Sequence, residues 1–218
     1  MENNTVVPEK ETEVCIYGYI RDLSELSTAH EILEISQYSA TLGDSGRCRC
    51  RSTLEKGTED YVMTVKMDKA DKSNVTSKYE YNFNVDKDYY DYFKTIAQEW
   101  HKKKRYIFKV KDVVFKTFNR DAVEKTITVP EVLYEVDIFE KEDGSFSNWC
   151  KIDIEIDKAL DYIDSNIEDY YSIELNVNLK PLPVVVEDAF MASKTSIAVK
   201  NKISKLWEEE FGRKIPNG

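Results

Sequence analysis

The 218-residue sequence is poor in the residues that interrupt regular structure, with only 7 glycines and 5 prolines. This composition argues against a disordered or low-complexity chain. No apolar run approaches the length of a membrane span and no signal peptide is recognised, so we expect a cytoplasmic protein without a membrane partner. Neither a P-loop nor a dinucleotide-binding glycine motif is present, so neither signature supports a function.

Residues that commonly bind zinc are also scarce, with two histidines and four cysteines. Cys48 and Cys50 are two apart, but no second pair at zinc spacing follows. We therefore interpret the cysteines as small apolar residues of a reduced protein. His30 and His101 have no nucleophile signature near them and are expected at the surface.

Basic residues are outnumbered, with 31 against 41 acidic residues and a formal net charge of -10. Because phosphate contacts dominate non-specific affinity for nucleic acid, we expect no strong non-specific binding of DNA. A local basic pocket inside an acidic shell is still compatible with this balance. We expect the basic run 101–105 to be a solvated helix end, with contact to RNA beside a 5′ triphosphate as the alternative.

The apolar pattern predicts many antiparallel strands with a few interspersed helices, an α+β fold. The predicted strands are 13–20, 47–51, 61–67, 77–85, 103–110, 112–119, 132–139, 149–156 and 171–179. The predicted helices are 24–33, 87–101, 157–166 and 187–211. We expect residues 1–11 to be a disordered N-terminus and residues 12–218 to form a single domain.

Three arginines alternate with cysteines in the segment from Arg47 to Arg51. If this segment is a strand, Arg47, Arg49 and Arg51 share one face. A row of positive charges is costly to bury unless it meets anions. Those anions are either the chain's own carboxylates or a ligand such as phosphate.

Six further strands place charged or polar groups at alternate positions. These groups are Glu13; Thr64 and Lys66; Lys78 and Glu80; Lys103 and Arg105; Glu135 and Asp137; and Asp153 and Glu155. One interpretation is a solvated outer face on ordinary sheets. The alternative is a closed sheet whose polar face points inward, with basic and acidic rows across a lumen. The segregation of arginines and acids on separate strands favours this alternative.

The order of these motifs resembles that of the CYTH-type triphosphate tunnel metalloenzymes. The matching segments are Arg47/Arg49/Arg51, Thr64-Val65-Lys66, Lys78-Tyr79-Glu80, Tyr134-Glu135-Val136-Asp137-Ile138-Phe139 and Asp153-Ile154-Glu155. The resemblance covers about 13–200, and its most specific segment is 134–139. It implies a closed or nearly closed antiparallel eight-stranded β-barrel, a tunnel with helices packed outside.

The resemblance further implies divalent-metal-dependent hydrolysis of a triphosphate, whether inorganic triphosphate, a nucleoside triphosphate or an RNA 5′-triphosphate. The implied phosphate-binding residues are Arg47, Arg49, Arg51, Lys66, Lys78 and Arg105. The implied catalytic residues are Glu135, Asp137 and Glu155, and the implied ligands of Mg²⁺ or Mn²⁺ are Glu13, Glu80, Asp153 and Glu155. Arginine forks suit phosphate oxygens, and carboxylates suit a divalent cation that bridges to phosphate.

The first strand departs from the family pattern E-x-E-x-K, because Cys15 replaces the second acid and Tyr17 the lysine. A neutral thiol is a poor ligand for Mg²⁺. An alternative function is therefore a catalytically reduced tunnel that binds a nucleotide, a cyclic nucleotide signal or an RNA end without hydrolysis. A third interpretation is a scaffold whose tunnel charges pair with one another.

The expected partner is thus a phosphorylated small molecule or an RNA 5′ end. The final predicted helix carries Trp207 and Phe211 near its end. Two roles are open for it: capping the barrel, or contact between two copies in a homodimer.

Overall fold

The computed structural model describes residues 9–10, 13–43, 46–68, 78–118, 121–156, 159, 161–163, 172–174, 182–192 and 196–212. For 9–10, 13, 67–68, 78–80 and 172–174 the description covers the backbone alone. These residues form a mostly antiparallel β structure with few helices. No helix in the described part of the chain has the length and apolar character needed to cross a membrane.

Eleven strands and two α-helices make up the described elements, together with one short 3₁₀ helix at Leu23–Thr28. The first six strands are β1 Glu9–Lys10, β2 Glu13–Ile20, β3 Glu31–Leu42, β4 Gly46–Glu55, β5 Thr58–Asp68 and β6 Lys78–Asn84. Helix α1, Lys87–Ile96, follows. The remaining elements are β7 Glu99–Phe118, β8 Glu124–Glu140, β9 Phe146–Glu155, β10 Ser172–Glu174, β11 Val186–Met191 and α2 Ile197–Phe211.

All strands belong to one sheet, in which neighbours run antiparallel in the order β1-β6-β5-β4-β3-β7-β8-β9-β2-β11, with β10 beside β7. The antiparallel sheet with flanking helices confirms the coarse prediction. Eleven strands rather than eight take part, and within the described residues no ladder joins β1 to β11, so these ladders do not close a barrel.

The predicted helix over 24–33 is wrong. Only Leu23–Thr28 is helical, as a 3₁₀ helix whose first turn is capped by Asp22, which accepts a hydrogen bond from Ser24 N at 2.9 Å. The following residues form β3, which pairs with β4 on one side and β7 on the other. Hydrogen bonding along both edges outweighs the weak local helical preference.

Helix α1 ends at Ile96, earlier than the predicted 101, because β7 begins pairing with β3 at Glu99. Asp86 caps the helix by accepting a hydrogen bond from Tyr89 N at 2.8 Å. Strand β7 is continuous where we predicted two strands, 103–110 and 112–119. Asp112 adopts a φ of 54° inside it, which marks a local irregularity in an unbroken strand.

The predicted helix over 187–211 is divided between two elements. Its first residues form β11, which pairs with β2, and α2 begins only after Ser196. Helical residues at 159 and 161–163 fall within the predicted helix 157–166, and β10 falls within the predicted strand 171–179. The rest of both segments lies outside the described residues.

One face of the sheet is apolar and forms the main core. Val136, Cys150 and Ile152 on β8 and β9 have no exposed area, and Ile163 and Leu182 pack with them. On strands β3, β4 and β5 the same face is covered by α1, whose buried residues belong to a cluster with Cys48 and Cys50. Helix α1 therefore packs on the apolar face of the sheet.

Helix α2 packs on the opposite face. Trp207 and Phe211 are buried against Phe139 and Trp149, with the rings of Phe139 and Trp207 centred 4.9 Å apart. Ion pairing of Glu210 with Lys141 at 2.6 Å fixes the end of the helix. Helix α2 thus lies on the face opposite α1, which differs from the prediction that the helices all pack outside one tunnel. Its two expected roles, capping a barrel or contact between two copies, stay predictions.

Replacing Trp207 with alanine should lower the free energy of unfolding by about 3–5 kcal/mol, because it removes a large buried ring from a packed aromatic cluster. Chemical denaturation measures this. The matched control is Ile197→Ala on the same helix, since Ile197 is 75% exposed and its loss should leave stability nearly unchanged. Equal effects of the two substitutions would show that α2 does not depend on the cluster.

Candidate functional site

Cross-strand pairing places the predicted charged rows on one face of the sheet. Directly opposed residues of neighbouring strands point to the same side, so each pair extends the face by one strand. We call this surface the polar face. Its positions include Lys78, Glu80, Thr64, Lys66, Arg47, Arg49, Arg51, Gln37, His101, Lys103, Arg105, Asp137, Glu135, Lys151, Asp153, Glu155, Cys15 and Glu13.

Strands β4 and β5 supply a basic half of the polar face. Arg47 pairs directly with Lys66 across the two strands. Arg49 Nη2 donates to Thr64 Oγ1 at 3.3 Å, and Thr64 Oγ1 donates to Asn82 Oδ1 at 2.7 Å. Because Thr64 is fully buried, this chain of hydrogen bonds holds the Arg49 side chain close to the strands.

Arg51 lies in the same row but has a different environment. Its Nε atom is buried and has no hydrogen-bond partner in the part of the chain that the structure describes. Burial, together with the charges of Arg49 and Arg105, lowers the pKa of Arg51, against the opposing effect of Asp137 and Glu135. A buried guanidinium nitrogen without an acceptor is costly, so this side chain is suited to receive an anion.

Strands β7, β8 and β9 supply a mixed half, centred on Asp137. Arg105 donates to Asp137 through Nε at 2.8 Å and through Nη2 at 3.0 Å. Lys103 Nζ also binds Asp137, and Arg105 Nη1 contacts Glu135. Lys151 Nζ lies 2.5 Å from Asp153 Oδ2. Carboxylates and cations therefore already neutralise one another in this half.

Burial and the neighbouring charges together set the protonation of the Asp137 cluster. Burial by itself would raise the pKa of Asp137, but Arg105 and Lys103 hold it well below its usual range, so the group is a carboxylate. Burial would lower the pKa of Arg105, yet Asp137 and Glu135 raise it. Burial and the neighbouring Arg105 lower the pKa of Lys103 to about 7, despite the opposing charge of Asp137. Burial raises the pKa of Glu135. The Arg105 charge opposes this shift, whereas the charges of Asp137 and Asp153 add to it.

The first strand places Cys15 directly opposite Asp153, and Tyr17 opposite Lys151. Cys15 thus lies on the polar face. Burial and the neighbouring Cys15 raise the pKa of Tyr17, so its hydroxyl stays protonated. Cys48 and Cys50 are buried under α1, which matches their interpretation as small apolar residues.

Three predicted site residues have side chains outside the described part of the chain. They are Glu13, Lys78 and Glu80. The backbone register nevertheless places Glu13 directly opposite Glu155, and Glu80 directly opposite Lys66.

Carboxylate oxygens are the ligands that Mg²⁺ and Mn²⁺ prefer, which gives a test of the predicted metal ligands. Asp153 is 2% exposed, and its Oδ1 atom has no hydrogen-bond partner within the described residues. Glu155 follows it on the same face of β9. This donor chemistry fits a divalent cation, although no three metal-ligating side chains of the described residues converge on one point.

Several residues of the polar face were missed or misjudged in the sequence. Lys103 and Lys151 were not predicted as site residues, although their alternation with Arg105 and Asp153 carried the signal. His101 is buried among Phe139 and Trp207 rather than at the surface, and the run 101–105 lies in β7 rather than at a helix end. His30 is exposed as predicted.

No protein-family model and no curated protein matches the chain. It is similar in structure to a conserved hypothetical protein of Pyrococcus furiosus, with 18% identity, a TM-score of 0.42, and coverage of 73% of this chain and 95% of that one. It is also similar to protein PH1819 of Pyrococcus horikoshii, with 16% identity, a TM-score of 0.38, and coverage of 73% and 93%.

A further similarity is to HpAC1 of Hippeastrum, a candidate adenylyl cyclase described as having a dominant triphosphatase activity. Its identity is 12% and its TM-score 0.36, over 74% of this chain and 91% of that one. These similarities are too distant to assign a function, which we infer from the residues of the chain.

The lowered pKa of Lys103 predicts a pH dependence of stability. The pKa of Lys103 is about 7 in the folded protein and has its higher, usual value in the unfolded chain. At a pH between these two pKa values the unfolded state binds more protons, so the free energy of unfolding rises with pH. Between pH 7 and 8.5 the free energy of unfolding of the wild type should therefore rise by about 1–2 kcal/mol more than that of Lys103→Met. Denaturation curves of both proteins at each pH measure this. Parallel pH profiles would contradict it.

Proposed function

We propose that the polar face binds the phosphates of a triphosphate-bearing ligand. The observation that carries the proposal is the Arg51 side chain, whose buried Nε atom has no acceptor in the described part of the chain. Carboxylates of the mixed half are already engaged by Lys103, Arg105 and Lys151, so only part of their charge is available to Arg51. An anion with several negative charges would accept charge-assisted hydrogen bonds from the arginines of the basic half.

The architecture that we propose for this function is a nearly closed barrel around the polar face. Arg51 responds to the charges of Arg105, Asp137 and Glu135, which belong to the second and third strands along the sheet. In a flat sheet that separation is roughly 10–14 Å. Because arginine side chains can reach across such a separation, the support for this architecture is the segregation of basic and acidic residues on separate strands of the polar face.

Arg51→Ala should weaken the binding of inorganic triphosphate about 10- to 100-fold, since a charge-assisted bond of an arginine is lost. Calorimetric titration measures the affinity. The melting temperature should stay near the wild-type value, because the substitution removes a buried guanidinium whose Nε atom has no acceptor in the described part of the chain. Arg21→Ala is the matched control, since Arg21 is largely exposed on its side chain and outside the polar face. An unchanged affinity in Arg51→Ala would refute the binding site.

A second candidate function is divalent-metal-dependent hydrolysis of the bound triphosphate. The buried Asp153 favours it, because its Oδ1 atom has no hydrogen-bond partner within the described residues and the backbone register places the positions of Glu155 and Glu13 next along the same face. Glu13, Asp153 and Glu155 would hold Mg²⁺ or Mn²⁺, and the cation would neutralise charge that develops on the phosphates. The basic half would orient the phosphates, and Glu135 or Asp137 would be the remaining predicted catalytic groups.

Hydrolysis predicts release of phosphate from inorganic triphosphate in the presence of Mg²⁺ or Mn²⁺. Glu155→Gln should abolish that release, since a neutral amide is a weak ligand for these cations, while metal-free binding of triphosphate persists. A colorimetric phosphate assay and titration in chelator separate the two properties. Binding without release under any metal would leave the protein a phosphate-binding module and exclude the hydrolase.

A further inference from the structure

Arg105 has two close carboxylate partners on different edges of its guanidinium group, Asp137 and Glu135, and a third carboxylate, Asp153, lies 3.9 Å from its Nη2 atom. Nε and Nη2 donate to the two oxygens of Asp137, which is the two-point geometry of an arginine fork. The remaining terminal nitrogen, Nη1, contacts Glu135. One edge of the group is thus fixed to Asp137, and the other is occupied by Glu135.

The two carboxylates differ in how firmly they are held. Asp137 has no exposed area, and Lys103 binds it in addition to Arg105. Glu135 is 16% exposed on its side chain, and its one ion pair within the described residues is to Arg105. The charges of Asp137 and Asp153 raise the pKa of Glu135 and so disfavour a further negative charge there. Moving the Glu135 carboxylate away from Arg105 should therefore cost less free energy than moving that of Asp137.

We propose that Glu135 occupies, in the ligand-free protein, the edge of Arg105 that a ligand phosphate takes, and that Asp137 is the positioning residue that holds Arg105 during the exchange. The inference rests on the proposed binding of a triphosphate. One phosphate oxygen replaces one carboxylate oxygen at Nη1, and both hydrogen bonds to Asp137 persist. Glu135 is then a competitor of the ligand rather than part of its binding site.

Opposite effects of two neutralising substitutions test this assignment. We use calorimetric titration with inorganic triphosphate in a chelating buffer, so that no divalent cation contributes. Glu135→Gln should bind about tenfold more tightly, because the competing carboxylate is gone. Asp137→Asn should bind about tenfold more weakly, because Arg105 loses its anchor. Simple charge repulsion predicts tighter binding for both, since each removes one negative charge from the polar face.

Two further variants control the comparison. Glu131→Gln makes the same change of charge at an exposed position of the same strand and should leave the affinity unchanged. Glu135→Asp keeps the carboxylate on a shorter side chain and should fall between wild type and Glu135→Gln. If Asp137→Asn does not fold, as loss of a buried ion-pair partner can cause, Glu135→Asp decides, because it keeps the negative charge and simple charge repulsion predicts wild-type affinity for it.

The inference is overturned, with the proposed function intact, if wild type binds triphosphate and Glu135→Gln binds equally or more weakly. It is also overturned if Asp137→Asn folds and binds more tightly than wild type. Absence of binding in both wild type and Glu135→Gln overturns the proposed function and the inference together. Binding by Glu135→Gln alone supports the inference, since the competing carboxylate then masks the site in wild type.

Discussion

The burial of one carboxylate, Asp137, is the constraint on which the polar face depends. A charge without exposed area is tolerated only when cations and hydrogen bonds surround it, and Lys103 and Arg105 on the neighbouring strand provide both. A slip of one residue between β7 and β8 would turn these cations to the apolar face. The pairing therefore helps to fix the register of the two longest strands. Through that register it also fixes which side of the sheet is polar.

The residues that share a face could be predicted from the sequence, because alternation is a local property of a strand. The rows at 47, 49 and 51 and at 135 and 137 lie on the polar face for that reason. The roles that we predicted for them, in binding phosphate, metal or water, stay predictions.

Strand order and charge pairing could not be predicted in the same way. Strand β3 lies between β4 and β7. Its first residues, 31–33, fall in the predicted helix, and residues 34–42 fall in no predicted element. Only the pairing on both of its edges decides between helix and strand. Without that order, the sequence did not reveal that Arg105 would face Asp137 and contact Glu135. The ends of α1 and α2 were equally set by neighbouring strands rather than by local spacing.

The two halves of the polar face place different demands on any ligand. The basic half contains cations in excess, whereas the mixed half is close to internal balance. A phosphate chain that spans both would gain most of its attraction from β4 and β5 and its orientation from β7 to β9. The carboxylates near Glu155 lie beyond the Asp137 cluster, where a cation would add positive charge without competing for Arg105.

Pairing of β2 with β9 has a consequence for how the chain folds. These strands include Gly18 and Cys150, which are 132 residues apart in sequence and joined by a contact between the Cys150 thiol and the Gly18 carbonyl. The first long strand is thus placed between two of the later ones, β9 and β11. Closing so long a loop costs entropy before any contact is gained, so folding should be slow for a chain of this size. During synthesis, β2 can pair with its neighbours only after β9 and β11 have been made.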